Sequence, residues 1–375
     1  MKTSSCDLLI VGAGPAGLRA GLVASKNRKV TYLDISKFGK RINVSGNGRA
    51  NFFNLSLLKE ETYSYYPFSR VKNIVLSKDG NRAEKFFSFL TKERNFPYRA
   101  NGDCCYPYFN RSECLDHFLI ETLKQKEIPF LQGRRLNIRG NTLTYQAERK
   151  DRHQLSFHDA LIALGGDSYD RKEKGNDDFL ASLVLKRTPF KSCLCPLKVS
   201  DPIPSYLVNQ RLKAKVTLLC KEEVLYEETG EILFKQDGLS GICIFNCSLY
   251  LRHALGKNRR EDRSMKVDYL PDRKNSRIPL DSYPLFRKRY FKDRKRKQGT
   301  PFVFHVKGFY PFKESQVSFG GVSLSEINPE TRQLISHPHL YRAGERLSPA
   351  FPCGGYNRGL AFTEGYIAGK ALIHE

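Results

Sequence analysis

The 375-residue chain lacks several things, and each absence narrows what it can be. No stretch approaches the roughly eighteen consecutive apolar residues of a membrane-spanning helix, so a protein without a membrane span is expected. No leader is expected ahead of the short polar start Met1–Asp7, which implies a cytoplasmic protein. Ten cysteines are present, but paired CxxC spacing is absent. A zinc site is therefore not expected, and no metal ligands are assigned. No repeat of solenoid type is visible. Acidic residues are scarce, 39 against 63 basic ones, which leaves a formal charge of +24. Such an excess argues about partners rather than fold, and a polyanion such as nucleic acid is the first candidate. Hydrophobic residues at 40% are enough to bury sizeable cores, which excludes global disorder.

What is present begins at once. Asp7-Leu8-Leu9-Ile10-Val11 reads as a parallel strand buried on both faces. Gly12-Ala13-Gly14-Pro15-Ala16-Gly17 follows and opens a helix running to about Lys26, and a second strand, Lys29 to Ile35, carries Asp34. This is the G-x-G-x-x-G pattern in the strand–turn–helix context that gives it meaning. The first glycine permits the turn, the second lets a diphosphate touch backbone, and the third lets helix and sheet pack closely. Pro15 suits the first helical turn, and the uncapped N–H groups there, Ala16 included, face the diphosphate. Asp34 is placed to accept from an adenosine ribose. The element alone does not separate FAD from NAD.

Further along, residues 80–130 read as helical around a loop at Cys104-Cys105-Tyr106-Pro107, and Phe157–Leu164 reads as a buried strand closing on Gly165-Gly166. From about 194 short β-rich runs appear (Ala214–Leu219, Glu231–Phe234, Ile242–Phe245). Residues 251–300 hold 17 Lys and Arg against 6 Asp and Glu, a net +11. The chain ends in a glycine-led helix over 354–373.

Several blocks resemble the BaiN/RdsA family of flavin-dependent oxidoreductases. Gly39-Lys40-Arg41-Ile42-Asn43-Val44-Ser45-Gly46-Asn47-Gly48-Arg49-Ala50-Asn51 is similar to the family's G-[KR]-K-x-x-x-S-G-x-G-R-C-N stretch. Gly165-Gly166-Asp167-Ser168-Tyr169, Gly230–Phe234 with Gly238–Gly241, Gly320–Ile327, Leu340–Glu345 and Cys353-Gly354-Gly355-Tyr356-Asn357 follow in family order over nearly the whole chain. The departures are Ala50 for the usual Cys, Leu164 for Thr, Ser348 for Asp, and a short basic 251–300 where the family carries a small helical insert.

The resemblance implies FAD. It implies a discontinuous α/β architecture: a Rossmann-like FAD-binding domain at 1–193 plus 337–375, a β-barrel-like domain at 194–250 plus 301–336, and a basic insert at 251–300. Around a flavin, Lys40, Ser45, Gly46, Gly48, Arg49 and Asn51 read as a loop that brings backbone to the ligand. Gly344-Glu345 offers an acid to ribityl hydroxyls, and Gly354, Gly355 and Asn357 open a helix whose dipole favours a reduced, negative flavin. Cys353 and Tyr356 are the candidate proton donors for reduction of a carbon–carbon double bond. NAD(P)H is the expected electron donor, bound transiently, since no second G-x-G-x-x-G exists.

Family members are linked to reduction of a uridine in ribosomal RNA, to bile-acid reduction and to amine oxidation. The charge favours RNA. Arg287, Lys288, Arg289, Lys292, Arg294, Lys295, Arg296 and Lys297 interleave with Tyr283, Phe286, Tyr290 and Phe291 and suit phosphates and unpaired bases. The expectation is a ribosomal RNA uridine reductase acting on free or immature RNA. A small-molecule flavin oxidase or reductase and a non-catalytic RNA-binding flavoprotein stand as alternatives, and the oligomeric state is not readable.

Overall fold

The computed structural model describes residues 2–35, 51–147, 151–166, 183–203, 205–255, 263–269, 302–345 and 350–373. The chain divides into two compact units: residues 1–191 with 318–375, and residues 192–317.

The first unit is built on β1 (Lys2–Val11), α1 (Pro15–Ala24) and β2 (Val30–Asp34). A small antiparallel sheet follows, made of β3 (Phe53–Asn54), β4 (Tyr98–Asn101) and β5 (Cys104–Pro107), with β5 in the middle. Then come α2 (Ser112–Lys124), β6 (Phe130–Gln132), β7 (Arg134–Arg139), β8 (Thr142–Gln146) and β9 (Arg152–Ile162).

The second unit holds β10 (Leu197–Val199), β11 (Arg211–Cys220), β12 (Glu223–Lys235), β13 (Gly238–Ser240), α3 (Ile242–Ala254), β14 (Arg263–Tyr269) and β15 (Phe302–Phe309). The chain returns to the first unit for β16 (Gln333–Leu334), β17 (His337–Arg342) and α4 (Tyr356–Ala371).

The main sheet runs β16-β17-β9-β1-β2-β6, with β8 and β7 added antiparallel beside β9. Its centre, β17-β9-β1-β2-β6, is parallel. That is why Leu8, Leu9, Ile10 and Val11 are all 0% exposed: both faces of β1 are covered, and alternation vanishes. On one face α1 and α4 pack very closely. A Cβ added at Gly365 would lie 2.2 Å from Ala16 O, and one at Gly369 2.7 Å from Ala20 O. The sheet and its helices form a Rossmann-like α/β fold. In the second unit the order β10-β13-β12-β11-β14-β15 closes on itself as an antiparallel barrel.

The structure corrects four details. Ile242–Phe245 is not a strand; it is the start of α3. Gly241 at φ +113° ends β13, and Cys243, Cys247 and Leu251, all buried, recur at helical spacing. Four apolar residues are too short a window to tell the two periods apart. Helix in 80–130 is confined to Arg82–Glu93 and α2, with β4 and β5 between them. The stretch 263–269 is a barrel strand rather than insert, because Met265 and Val267 are buried on either side of exposed Lys266. Residues 318–336 belong to the first unit, not the barrel, since β16 pairs with β17 in the main sheet.

Candidate functional site

The parallel strands end on the glycine turn. Gly12 N donates to Leu33 O at 2.8 Å, and Ala163 N donates to Val11 O at 2.8 Å, so the turn is wedged between β2 and the end of β9. Gly12 adopts φ +105°, and a Cβ there would lie 2.4 Å from Ala163 O. A Cβ at Gly17 would lie 1.9 Å from Gly12 O. Gly14 differs: an added Cβ would meet nothing within 4 Å, so its face of the turn is open. No side chain caps α1 there, and Pro15 occupies its first position. Asp34 stands at the turn itself, its Oδ2 accepting from Ala13 N at 2.6 Å.

The end of β17 lies beside this turn. Gly344 approaches Ala16, with 3.2 Å between an added Cβ and the alanine Cβ. Gly344 N donates to Glu364 Oε2 at 2.6 Å, which ties β17 to α4. Burial raises the Glu364 carboxyl above its ordinary range, against the opposing pull of Arg332, whose Nη2 lies 3.3 Å from Oε1. Glu345 is brought to the Gly165-Gly166 pair: Oε2 accepts from Gly166 N at 3.3 Å and Oε1 from Ser318 N at 2.7 Å. Sequence reasoning missed Ser318 and Glu364, because neither stands in a motif that distinguishes it from ordinary packing.

The second landmark is the start of α4. Gly355 is its N-cap at φ +93°, without side-chain cap. A Cβ there would lie 2.3 Å from Asn51 Oδ1 and 2.6 Å from Phe53 O. Gly354 O accepts from Asn54 Nδ2 at 2.8 Å and from the Cys104 thiol at 3.6 Å. The sheet β3–β5 therefore cradles this loop, and Cys104, expected in a plain loop, is one of its thiols. Asn357 clamps the chain before it: Oδ1 accepts from Phe351 N at 2.9 Å, and Nδ2 donates to Phe351 O at 2.7 Å. Cys353 is half-buried, as is Tyr356, whose ring stands 4.8 Å from that of Phe68. Burial raises the phenol above its ordinary range, so Tyr356 stays protonated through neutral pH; a hydrogen bond from Ser56 works the other way.

Along α4, ten residues separate Gly355 from Gly365 against Ala16, about 15 Å of helix. The glycine turn and the Cys353 loop thus lie at two points along α4, about 15 Å of helix apart. Lys40, Ser45, Gly46, Gly48 and Arg49 lie outside the described residues, as do Arg287, Lys288, Arg289, Lys292 and Arg294–Lys297.

The HI0933-like Rossmann domain family matches residues 6–371. The chain belongs to that family. A 3-dehydro-bile acid delta(4,6)-reductase of Clostridium scindens is 25% identical over 96% of this chain and 98% of its own. Among solved structures, E. coli quinol fumarate reductase FrdA matches with TM-score 0.55 at 14% identity, covering 100% of this chain and 70% of that one. The 3-ketosteroid delta1-dehydrogenase of Sterolibacterium denitrificans matches with TM-score 0.54 at 11% identity, covering 98% and 99%. The two structures share the fold. The protein is an FAD-dependent oxidoreductase.

The residues present suit FAD. Open space lies over Gly14, where a diphosphate would meet the uncapped start of α1. At the other end Asn51 Oδ1 is buried without a hydrogen-bond partner, against the start of α4.

Proposed function

We propose that this protein reduces a carbon–carbon double bond conjugated to a carbonyl in a small molecule. The near full-length likeness to a reductase of that bond type carries the reading. FAD, when bound there in its reduced form, would supply the hydride. The chain supplies the rest. Gly12, Gly14 and Gly17 with α1 would hold the diphosphate, and Asp34, at the turn, would accept from the ribose. The start of α4, at Gly354 and Gly355, would offer its positive dipole to a reduced, negative flavin. Asn54 and Cys104 fix that loop through Gly354 O. Cys353 or Tyr356 delivers the proton to the carbon next to the carbonyl. Tyr356 is held protonated for that task by burial. NAD(P)H is the electron donor we assign, used as a passing substrate.

The test is anaerobic. Enzyme reduced with dithionite is mixed with enones that include a 3-oxo-Δ4 steroid, and flavin reoxidation is followed. Reoxidation dependent on the enone is expected. A panel of enones that all leave the reduced flavin untouched overturns the small-molecule reading.

A second reading rests on charge. The +24 balance, with +11 in 251–300, favours a ribosomal RNA uridine, whose 5,6 double bond is also conjugated to a carbonyl. Nucleoside mass spectrometry of ribosomal RNA with and without the gene separates the two. Unchanged dihydrouridine removes the RNA reading and leaves the chemistry intact.

A further inference from the structure

On the main sheet, about four residues back from the glycine turn, three potential metal ligands meet. Asp159 in β9 pairs with Leu8 of β1, and Ala160 pairs with Leu340 of β17. The residue before each of that second pair is Asp159 and His339, so the parallel register sets them side by side. His158 precedes Asp159. One ligand atom from each of His158, Asp159 and His339 lies within 4.8 Å of the others.

The carboxylate is unusual. Asp159 is 1% exposed, and its Oδ1 has no hydrogen-bond partner. Its other oxygen, Oδ2, is engaged by Arg28 Nη2 at 2.9 Å and by His158 Nδ1 at 2.6 Å. His339 Nδ1 stands 3.5 Å from the unsatisfied Oδ1 without bonding it. A buried carboxylate oxygen normally finds a donor, and leaving one unmet is costly. Both imidazoles are exposed, 65% and 48% at the side chain, so a cation has a path in from solvent.

The geometry points to a divalent metal site of His158, Asp159 and His339, for a borderline cation such as Zn²⁺ or Co²⁺. Two imidazoles and one carboxylate suit that class, with water completing the coordination. Zinc bonds of about 2.0–2.2 Å place tetrahedral ligand atoms roughly 3.3–3.6 Å apart. The 3.5 Å from His339 Nδ1 to Oδ1 already meets this. The exposed His158 ring closes the rest by rotation about its side chain.

Charge is favourable. Arg28 is shared between Asp159 and Asp7, Nη2 lying 2.7 Å from Asp7 Oδ1, so two carboxylates share one guanidinium. Arg28 Nη2 holds Oδ2, and lies 3.5 Å from His158 Nδ1, which leaves Oδ1 for the metal, as partners of ligating carboxylates do. Its Nη1 also donates to Leu372 O at 3.1 Å, just past the end of α4. A bound cation therefore ties β9 to β17 and, through Arg28, to β1 and the end of α4. It is a structural tie, remote from the glycine turn, and it does not depend on which substrate the enzyme reduces.

The test uses the flavin-loaded protein after chelator treatment, titrated with Co²⁺. One equivalent per chain is expected, with d–d absorption of nitrogen–oxygen ligation and no thiolate charge-transfer band. In the double variant His158→Ala/His339→Ala the affinity should fall at least about tenfold. His339→Gln alone should give a smaller loss. Both variants should keep wild-type flavin content. Equal uptake by wild type and double variant, uptake seen only as thiolate bands, or no uptake overturns the site.

Discussion

α1 and α4 both begin on glycine and lack a side-chain cap, yet they are made differently. The start of α1 is fixed by backbone against backbone. Gly12 N, Ala163 N and the approach of Gly17 to Gly12 O set it, and every partner but Ala163 lies within a few dozen residues. The start of α4 is fixed by side chains from far away: Asn54 and Cys104 reach Gly354 O across 300 and 250 positions. The first is a rigid seat for a diphosphate, a group common to many cofactors. The second is adjustable residue by residue, which suits the end where chemistry is chosen.

The largest expected effect is at the rigid end. Gly17→Val drives a side chain into Gly12 O and should cost about 3 kcal/mol, with loss of bound flavin. Urea unfolding and flavin absorbance per chain measure both. Gly14→Ala sharpens the point, because its Cβ enters open space. Stability should hold while flavin retention falls. Parallel loss of both would mean that the open face is structural and does not serve a diphosphate.

At the adjustable end, Gly355→Ala should cost about 1–2 kcal/mol for a left-handed alanine, beyond its clash with Asn51 Oδ1 and Phe53 O. The glycine turn is untouched, so flavin should remain bound while turnover falls. Loss of flavin as complete as in Gly17→Val would erase the distinction between the two helix starts.

The proton donor is separable within the same loop. Whichever of Tyr356→Phe and Cys353→Ala removes the acid should lower turnover by about 10²–10⁴, the other far less. The pH profile gives an independent reading. The Tyr356 phenol is raised, so a tyrosine-dependent rate stays flat through neutral pH and falls only when alkali exceeds its raised value.

This contrast explains what could be read from the sequence. The run from Leu8 to Asp34 was legible because its constraints are local: spacing, turn sterics and one buried strand. The pairing of Glu345 with Gly166 and Ser318, and of Asn54 with Gly354, depends on strands meeting in space, and no periodicity encodes it. The start of α3 was misread for a related reason, since four apolar residues fit either period until Gly241 is seen to end the preceding strand. His158, Asp159 and His339 look like scattered polar residues until the parallel register aligns them.

The smallest effect probes the joint between the two helix starts. Glu364 on α4 accepts from Gly344 N, and Gly344 rests on Ala16 in the first turn of α1. Its folded-state pKa is raised by burial, so the protonated form is the one the native state favours. The stability it contributes is complete below the ordinary glutamate range, and it is lost as pH rises through the raised value. Glu364→Gln keeps an uncharged acceptor for Gly344 N and cannot ionise. The variant should therefore flatten the stability–pH curve over that window. Thermal unfolding across mildly acidic to neutral pH reads it. A variant that runs parallel to wild type would mean that Arg332 already neutralises the carboxylate, and that the two helix starts are joined by an ion pair rather than by a protonated acid.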